Sequence, residues 1–343
     1  MLKMGYGSYV LRRLLYTIPI IFGISVLIFV LTRVLPGDPV KLALGPDATP
    51  EMIAQARRIW NLDKPLYVQY VVFMVGFFTG DWGVSLRTYN NVLVDLARFA
   101  PATYELTAAA VMFSTLVGIP IGIVAAMHKD KWQDHGSRIL SIGGVSMPLF
   151  WTGIMLQLLI ASYFRLLPIG GRIGDGIARP VHITGFYLLD SLFTGNWEAF
   201  WSSAQHIILP AFVLSFPSLA NISRLVRSAM IDQRSKDHVI LQIANGMPRR
   251  LIVYKYMLKN SMASALTMIA LMFAYSLGSV ALVEMVFFWP GMGTYLVQGI
   301  YFKDFNAIMS VVILVGIIIV MANFIVDLLY GYLDPRIRYG EER

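Results

Sequence analysis

Residues 305–326 read Phe-Asn-Ala-Ile-Met-Ser-Val-Val-Ile-Leu-Val-Gly-Ile-Ile-Ile-Val-Met-Ala-Asn-Phe-Ile-Val, 22 positions without one Asp, Glu, Lys or Arg. A helix rises about 1.5 Å per residue, so this stretch covers roughly the 30 Å of a bilayer's hydrocarbon core. Five further charge-free runs occupy residues 14–32, 106–127, 139–164, 199–223 and 262–283. The shortest has 19 residues and the longest 26, so each suffices for one span. Of the 343 residues, 57% are hydrophobic and only 14% charged, against about a quarter charged in a soluble domain. Soluble globular, disordered and collagenous chains are excluded. The sequence is that of an all-α, polytopic membrane protein with six transmembrane helices.

With the N-terminus in the cytoplasm, segments 1–13, 128–138, 224–261 and 334–343 lie inside, with 17 Lys or Arg against 7 Asp or Glu. Segments 33–105, 165–198 and 284–304 then lie outside, with 11 against 12. Basic residues are retained on the cytoplasmic side, so the asymmetry places both termini inside. The net charge of +8 marks a membrane face and gives no indication of nucleic acid. Cysteine is absent, which removes disulfides, thiolate metal sites and a cysteine nucleophile. Lys3, Arg12 and Arg13 precede the first run as in a signal peptide. That run continues into Arg33-Val34-Leu35-Pro36-Gly37 without a small-x-small cleavage site, so it reads as a retained span.

Two other charge-free runs are not read as spans. Residues 65–80 are slightly short, and a span there would export the basic 224–261 segment. Residues 285–302 are parted from the fifth span by Glu284 alone, and Pro290, Gly291 and Gly293 would break a lipid-facing helix. Both are expected outside the membrane, packed against the bundle. In the first outside loop, Thr49-Pro50-Glu51 starts a helix: an N-cap, a proline at the first position and an acid in the first turn. That helix runs to about Trp60, where Asn61 suits a left-handed cap. The loop is too long for a plain connector and reads as a small extracytoplasmic helical lobe. The 165–198 loop shows no clear periodicity. The expected organisation is an N-terminus and first span over 1–33, the lobe over 34–103, a core of five spans over 104–333 and a tail over 334–343.

The segment between the fourth and fifth spans is the most informative. Residues 237–245 make a short helix with Asp237 as its N-cap or first-turn acid, and Gly246 follows where a C-cap belongs. Pro248 opens a second helix in which Leu251, Tyr254 and Leu258 form an apolar stripe. Arg249, Arg250, Lys255 and Lys259 are its basic residues. A solvated loop obeying the charge rule is the plain reading. Val239, Ile240, Leu241, Ile243 and Ala244 surround the first helix on most faces, however, and a free loop would avoid that. A docking partner would bury them.

These pieces resemble a permease subunit of the dipeptide/oligopeptide (nickel, opine) family of ATP-binding-cassette importers, and specifically the first of its two permease chains. The resemblance covers essentially the whole chain. It runs through Tyr9-Val10-Leu11-Arg12-Arg13-Leu14, Leu35-Pro36-Gly37-Asp38-Pro39-Val40, Gly80-Asp81-Trp82-Gly83-Val84-Ser85-Leu86 and Val117-Gly118-Ile119-Pro120-Ile121-Gly122. It continues through Phe287-Phe288-Trp289-Pro290-Gly291-Met292-Gly293 to Asp334-Pro335-Arg336-Ile337-Arg338-Tyr339. The resemblance implies a type I importer permease fold. It also implies that the segment 237–260 holds a coupling helix for an ATPase, over Asp237, Gln242, Ile243, Ala244, Asn245, Gly246, Met247 and Pro248. Two departures stand out. The family's usual Thr-Ala-Arg-Ala-Lys-Gly reads Leu241-Gln242-Ile243-Ala244-Asn245-Gly246, so two basic positions are neutral. The Leu-Pro after the second helix is replaced by Met262-Ala263-Ser264.

The implied partners are a second, different permease chain, two ATP-binding-cassette subunits, an extracytoplasmic substrate-binding protein, a peptide and membrane lipid. No Lys is followed by Ser or Thr, so the Walker A ending is absent. No cofactor is expected on this chain; ATP and Mg belong to the partner subunits. A path lined by Met272, Tyr275, Ser276 and Ser279, roughly one face of the fifth span, is set against simple close packing of small residues. Asp327, four residues from Asn323, is expected to bond a neighbouring helix or the second permease subunit, with proton coupling as the sharper alternative. The five His show no paired ligand spacing. Oligosaccharide, nickel and opine are alternative substrates, and a stand-alone secondary transporter is a further class, although no inverted repeat is visible.

Overall fold

The computed structural model describes residues 6–34, 38–45 and 47–333. Leu35-Pro36-Gly37 and the tail over 334–343 lie outside the described residues. Helices follow in the order α1 (Tyr6–Val34), α2 (Pro39–Leu44), α3 (Pro50–Ile59), α4 (Leu66–Thr79) and α5 (Val92–Met127). Next come α6 (Trp132–Ser146), α7 (Leu149–Leu156) with a π-helical continuation to Tyr163, α8 (Tyr187–Thr194) and α9 (Trp197–Arg234). They are followed by α10 (Asp237–Ala244), α11 (Arg249–Leu251) with a π-helical continuation to Leu258, α12 (Lys259–Val286), α13 (Met292–Phe302) and α14 (Phe305–Leu333). Among the described residues the extended structure is a single bridge between Val84 and Asn91.

Among the described residues five helices are long and apolar enough to cross a membrane: α1, α5, α9, α12 and α14. The third charge-free run departs from a straight span. It is broken at Met147-Pro148, and α6 and α7 meet at 107°. Proline lacks the N–H that would continue the ladder, and the residue before it is pushed to extended geometry. Met147 accordingly lies at φ −83°, ψ 128°. The pair counts as one broken span or as a re-entrant element. Runs also extend past their charge-free limits. Asn91 starts α5 by accepting the Leu93 amide at 2.9 Å, so the expected boundary at 103/104 falls inside a continuous helix.

The first-loop helix forms as its residues dictate. The Thr49 hydroxyl accepts the Met52 amide at 3.3 Å. Asn61 takes φ +55°, with its N–H donated to Arg58 and that of Leu62 to Arg57, a Schellman closure. Helix α4 reaches about 21 Å at 14 residues. It packs by Phe77, with Tyr70 and Phe73 beside it, onto Phe29 of α1 and Met309 and Ile313 of α14.

The bundle centres on α9, which lies against α5 along much of its length. Gly122 lets the two helices approach: a Cβ there would sit 2.7 Å from the Ser223 carbonyl oxygen. Small side chains at such crossings supply dispersion contact where lipid gives no hydrophobic drive. One apolar cluster joins Leu106, Leu214, Val283, Phe287 and Trp289 at the α13 end of the bundle. A second joins Ile222, Val226, Met230, Val239 and Met257 at the opposite end, where α10 lies.

Candidate functional site

Between α9 and α12, the hairpin from α10 to the π-helical turn carries exposed apolar side chains outside the long helices. Asp237 is the first residue of α10 and its first-turn acid, while Lys236 occupies the N-cap. Gly246 takes φ +70°. Its amide donates to the Ile243 carbonyl at 3.0 Å and that of Met247 to Gln242 at 3.1 Å, again a Schellman closure. Nothing lies within 4 Å of a Cβ at Gly246, so backbone conformation rather than space selects glycine there. Pro248 is extended and N-caps α11 from one position earlier than expected.

Val239, Ile252, Val253 and Met257 anchor the hairpin against Val226 and Met230 of α9. The apolar stripe of the second helix therefore differs from the expected Leu251, Tyr254 and Leu258. Leu251 and Tyr254 are exposed and Leu258 is half-buried, whereas Ile252, Val253 and Met257 are buried. The buried positions, with half-buried Tyr256, form one continuous helical face turned toward α9. On the free side Ile240, Leu241 and Ile243 are 52%, 57% and 55% exposed. Gln242 and Met247 are half-buried, and Ala244, Asn245, Pro248, Arg249 and Arg250 are exposed. The tip is an apolar patch rimmed by guanidinium groups.

The four positions considered for a path separate into two pairs. Met272 and Ser276 face inward at 7% and 4% exposure. Tyr275 is 64% exposed, and Ser279 is half-buried with its hydroxyl donating to the Tyr275 carbonyl at 3.3 Å. Beside this face, α1, α12, α13 and α14 enclose an apolar cleft of about 330 Å³ that includes Gly278 and Ala281. Asp327 bonds Arg13 of α1 at 3.0 Å. One partner is thus a helix of this chain, and Asn323 and Asp327 line a separate cleft between α1 and α14.

Asp327 is not the only carboxylate inside a long helix. Glu105 of α5 and Glu284 of α12 are buried at the α13 end. Glu284 accepts the Thr103 hydroxyl at 2.5 Å and the Thr294 amide at 2.9 Å. Thr103 in turn accepts the Met292 amide at 2.7 Å, and the Trp289 indole donates to the Ala102 carbonyl at 2.9 Å. A Cβ at Gly291 would sit 2.0 Å from the Glu284 carboxylate, which is why a glycine stands there. Glu105 pairs with Arg172, both 6% exposed, and accepts the Leu188 amide at 2.8 Å. The Arg172 guanidinium lies 3.7 Å over the Tyr187 ring. The sequence offered one signal for Glu284, a lone acid between two charge-free runs, and none for Glu105.

The aperiodic 165–198 loop is ordered by Asp190, which accepts the amides of Ile183, Thr184 and Gly185 and the Thr184 hydroxyl. Burial pushes this carboxyl up, but those hydrogen bonds prevail and hold it below the ordinary value. At the α13–α14 corner, burial pushes Asp304 up despite the Ser85 hydroxyl donated to it. Among the described residues no three His, Asp or Glu converge on a metal position.

Long apolar helices around a central crossing, with a bare apolar hairpin at one end, define the class of integral membrane proteins. Residues 118–339 match the binding-protein-dependent transport system inner membrane component family, and residues 7–106 its N-terminal membrane component. The chain belongs to this family of permease subunits of ATP-binding-cassette importers. It is 40% identical to the probable D,D-dipeptide transport system permease protein DdpB of Escherichia coli, over 98% of this chain and 99% of the relative. It is 36% identical to the dipeptide transport system permease protein DppB of Alkalihalophilus pseudofirmus, over 97% and 99%. It is 33% identical to the glutathione transport system permease protein GsiC of Salmonella choleraesuis, again over 97% and 99%.

Proposed function

We propose that this chain is the six-span permease half of a peptide importer, with α6 and α7 together forming the third span. Both termini and the α10 hairpin lie in the cytoplasm, and α3 and α4 belong to an extracytoplasmic lobe. The hairpin over Asp237–Pro248 is the coupling helix. It docks on one of two ATPase subunits, which bind ATP and Mg and hydrolyse the nucleotide. A binding protein delivers peptide on the other face, and a second, different permease chain completes the path. Outward-facing Tyr275 and Ser279 of α12 border that path, and ATP shifts the equilibrium between its two openings.

The observation that carries this reading is the anchored hairpin with Ile240, Leu241 and Ile243 bare at its tip. An apolar patch of this kind is buried by a partner. The dipeptide permeases among the relatives, matched nearly end to end, favour peptide as the cargo. The test is Ile243→Asp in the importer reconstituted with its ATPases and binding protein. Because Ile243 is exposed, folding is preserved, while peptide-stimulated ATP hydrolysis and uptake fall by at least about tenfold. Unchanged coupling in that variant refutes the docking assignment. Ligands carried by the cognate binding protein test the cargo separately.

A further inference from the structure

Between α6 and the C-terminal part of α9, at the hairpin end, lies a cleft of about 440 Å³ that the transport reading does not use. Arg138, Arg224 and Arg227 line it together with Ser141, Ile142 and Val145. Asp134 sits behind it, with no side-chain exposure. Its carboxylate accepts from Arg227 through two nitrogens, from Arg138 at 2.8 Å and from the Asp130 amide at 2.9 Å. Asp130 also takes a 3.3 Å contact from Arg138. Arg224 is exposed and donates to the Asn221 side chain at 2.8 Å. Three guanidinium groups thus meet two carboxylates, and the excess positive charge faces the cleft.

We propose that this cleft holds the phosphate of an anionic phospholipid. Guanidinium forks match phosphate oxygens bidentately, and basic pockets between spanning helices collect anionic headgroups. An apolar flank continues from the cleft along α6, where Ile139, Ile142 and Val145 are 72%, 67% and 57% exposed. That flank suits an acyl chain. A zwitterionic peptide fits less well: its ammonium would need a carboxylate, and Asp134 is saturated and closed to the cleft. Placing the lipid in the inner leaflet rests on the proposed orientation, whereas binding in micelles does not depend on it.

The test is native mass spectrometry of the intact importer complex from mixed micelles containing phosphatidylglycerol or phosphatidylcholine. The expected result is retention of phosphatidylglycerol over phosphatidylcholine by about fivefold or more. Arg224→Gln, which leaves the Asp134 cluster untouched, lowers retention to the phosphatidylcholine level, and Arg224→Lys restores part of it. Equal retention of the two lipids, or unchanged retention in Arg224→Gln, overturns the proposal. Displacement by millimolar inorganic phosphate alone overturns the lipid assignment in favour of a free-anion site. Displacement by dialanine overturns it in favour of the transport path.

Discussion

The two ends of the bundle handle charge in opposite ways. At the α13 end, Glu105, Glu284, Asp190 and Asp304 are buried, and apart from the Arg172 pair they accept from amides and hydroxyls. At the hairpin end Asp130, Asp134 and Asp327 are answered by arginines, beside open clefts. The α13 end is latched from within. The hairpin end is held by contacts that leave apolar and cationic surface free for other molecules. A buried pair depends on both partners, since losing one leaves an uncompensated charge, whereas an exposed pair contributes little.

Each of the following variants strains that contrast, in order of expected size. Arg172→Met strands Glu105 in an apolar setting and costs about 3–5 kcal/mol, read as a large drop in the thermal midpoint of the purified complex. A small shift there would mean the latch is weaker than its burial implies. Trp289→Ala removes a side chain 1% exposed and hydrogen-bonded to Ala102. The loss is about 3–4 kcal/mol, with increased protease cleavage in the 285–302 segment as the second readout. Gly246→Val forces a β-branched residue into φ +70° and costs about 1–2 kcal/mol. Gly246→Asn should recover most of that. Arg13→Gln cuts a pair 43% and 30% exposed, so its effect stays within about 1 kcal/mol. A larger effect would erase the distinction between the two ends.

The long helices were legible because a bilayer demands unbroken apolar runs. Two caps were legible too, because Asn61 and Gly246 sit where a left-handed residue closes a helix. The break at Pro148 was not. Pro101, Pro120, Pro210 and Pro217 lie inside continuous helices, so proline alone does not announce a bend. What distinguishes Pro148 is tertiary. Gly144 lies against Phe216 and Ala220 of α9, while Gly153 lies against Val286 and Phe287 at the far end of α12. The phase of the 251–258 stripe was equally hidden, since Ile252, Val253 and Met257 are as apolar as Leu251 and Leu258 and only packing against α9 selects between them. Glu105 escaped notice because its partner, Arg172, lies 67 residues away.

The bend at Met147-Pro148 also has a mechanical meaning. Below it, α6 is clamped to α9 through Asp134 and Arg227; above it, α7 leans on α12, where the Gln157 amide reaches the Val286 carbonyl at 2.8 Å. The α6–α7 pair is therefore two levers sharing a joint. Pro148 offers no backbone donor, so turning one lever against the other severs no helix bond from that residue. Sliding of α9 past α12 can be absorbed at that single pivot, leaving both levers stiff.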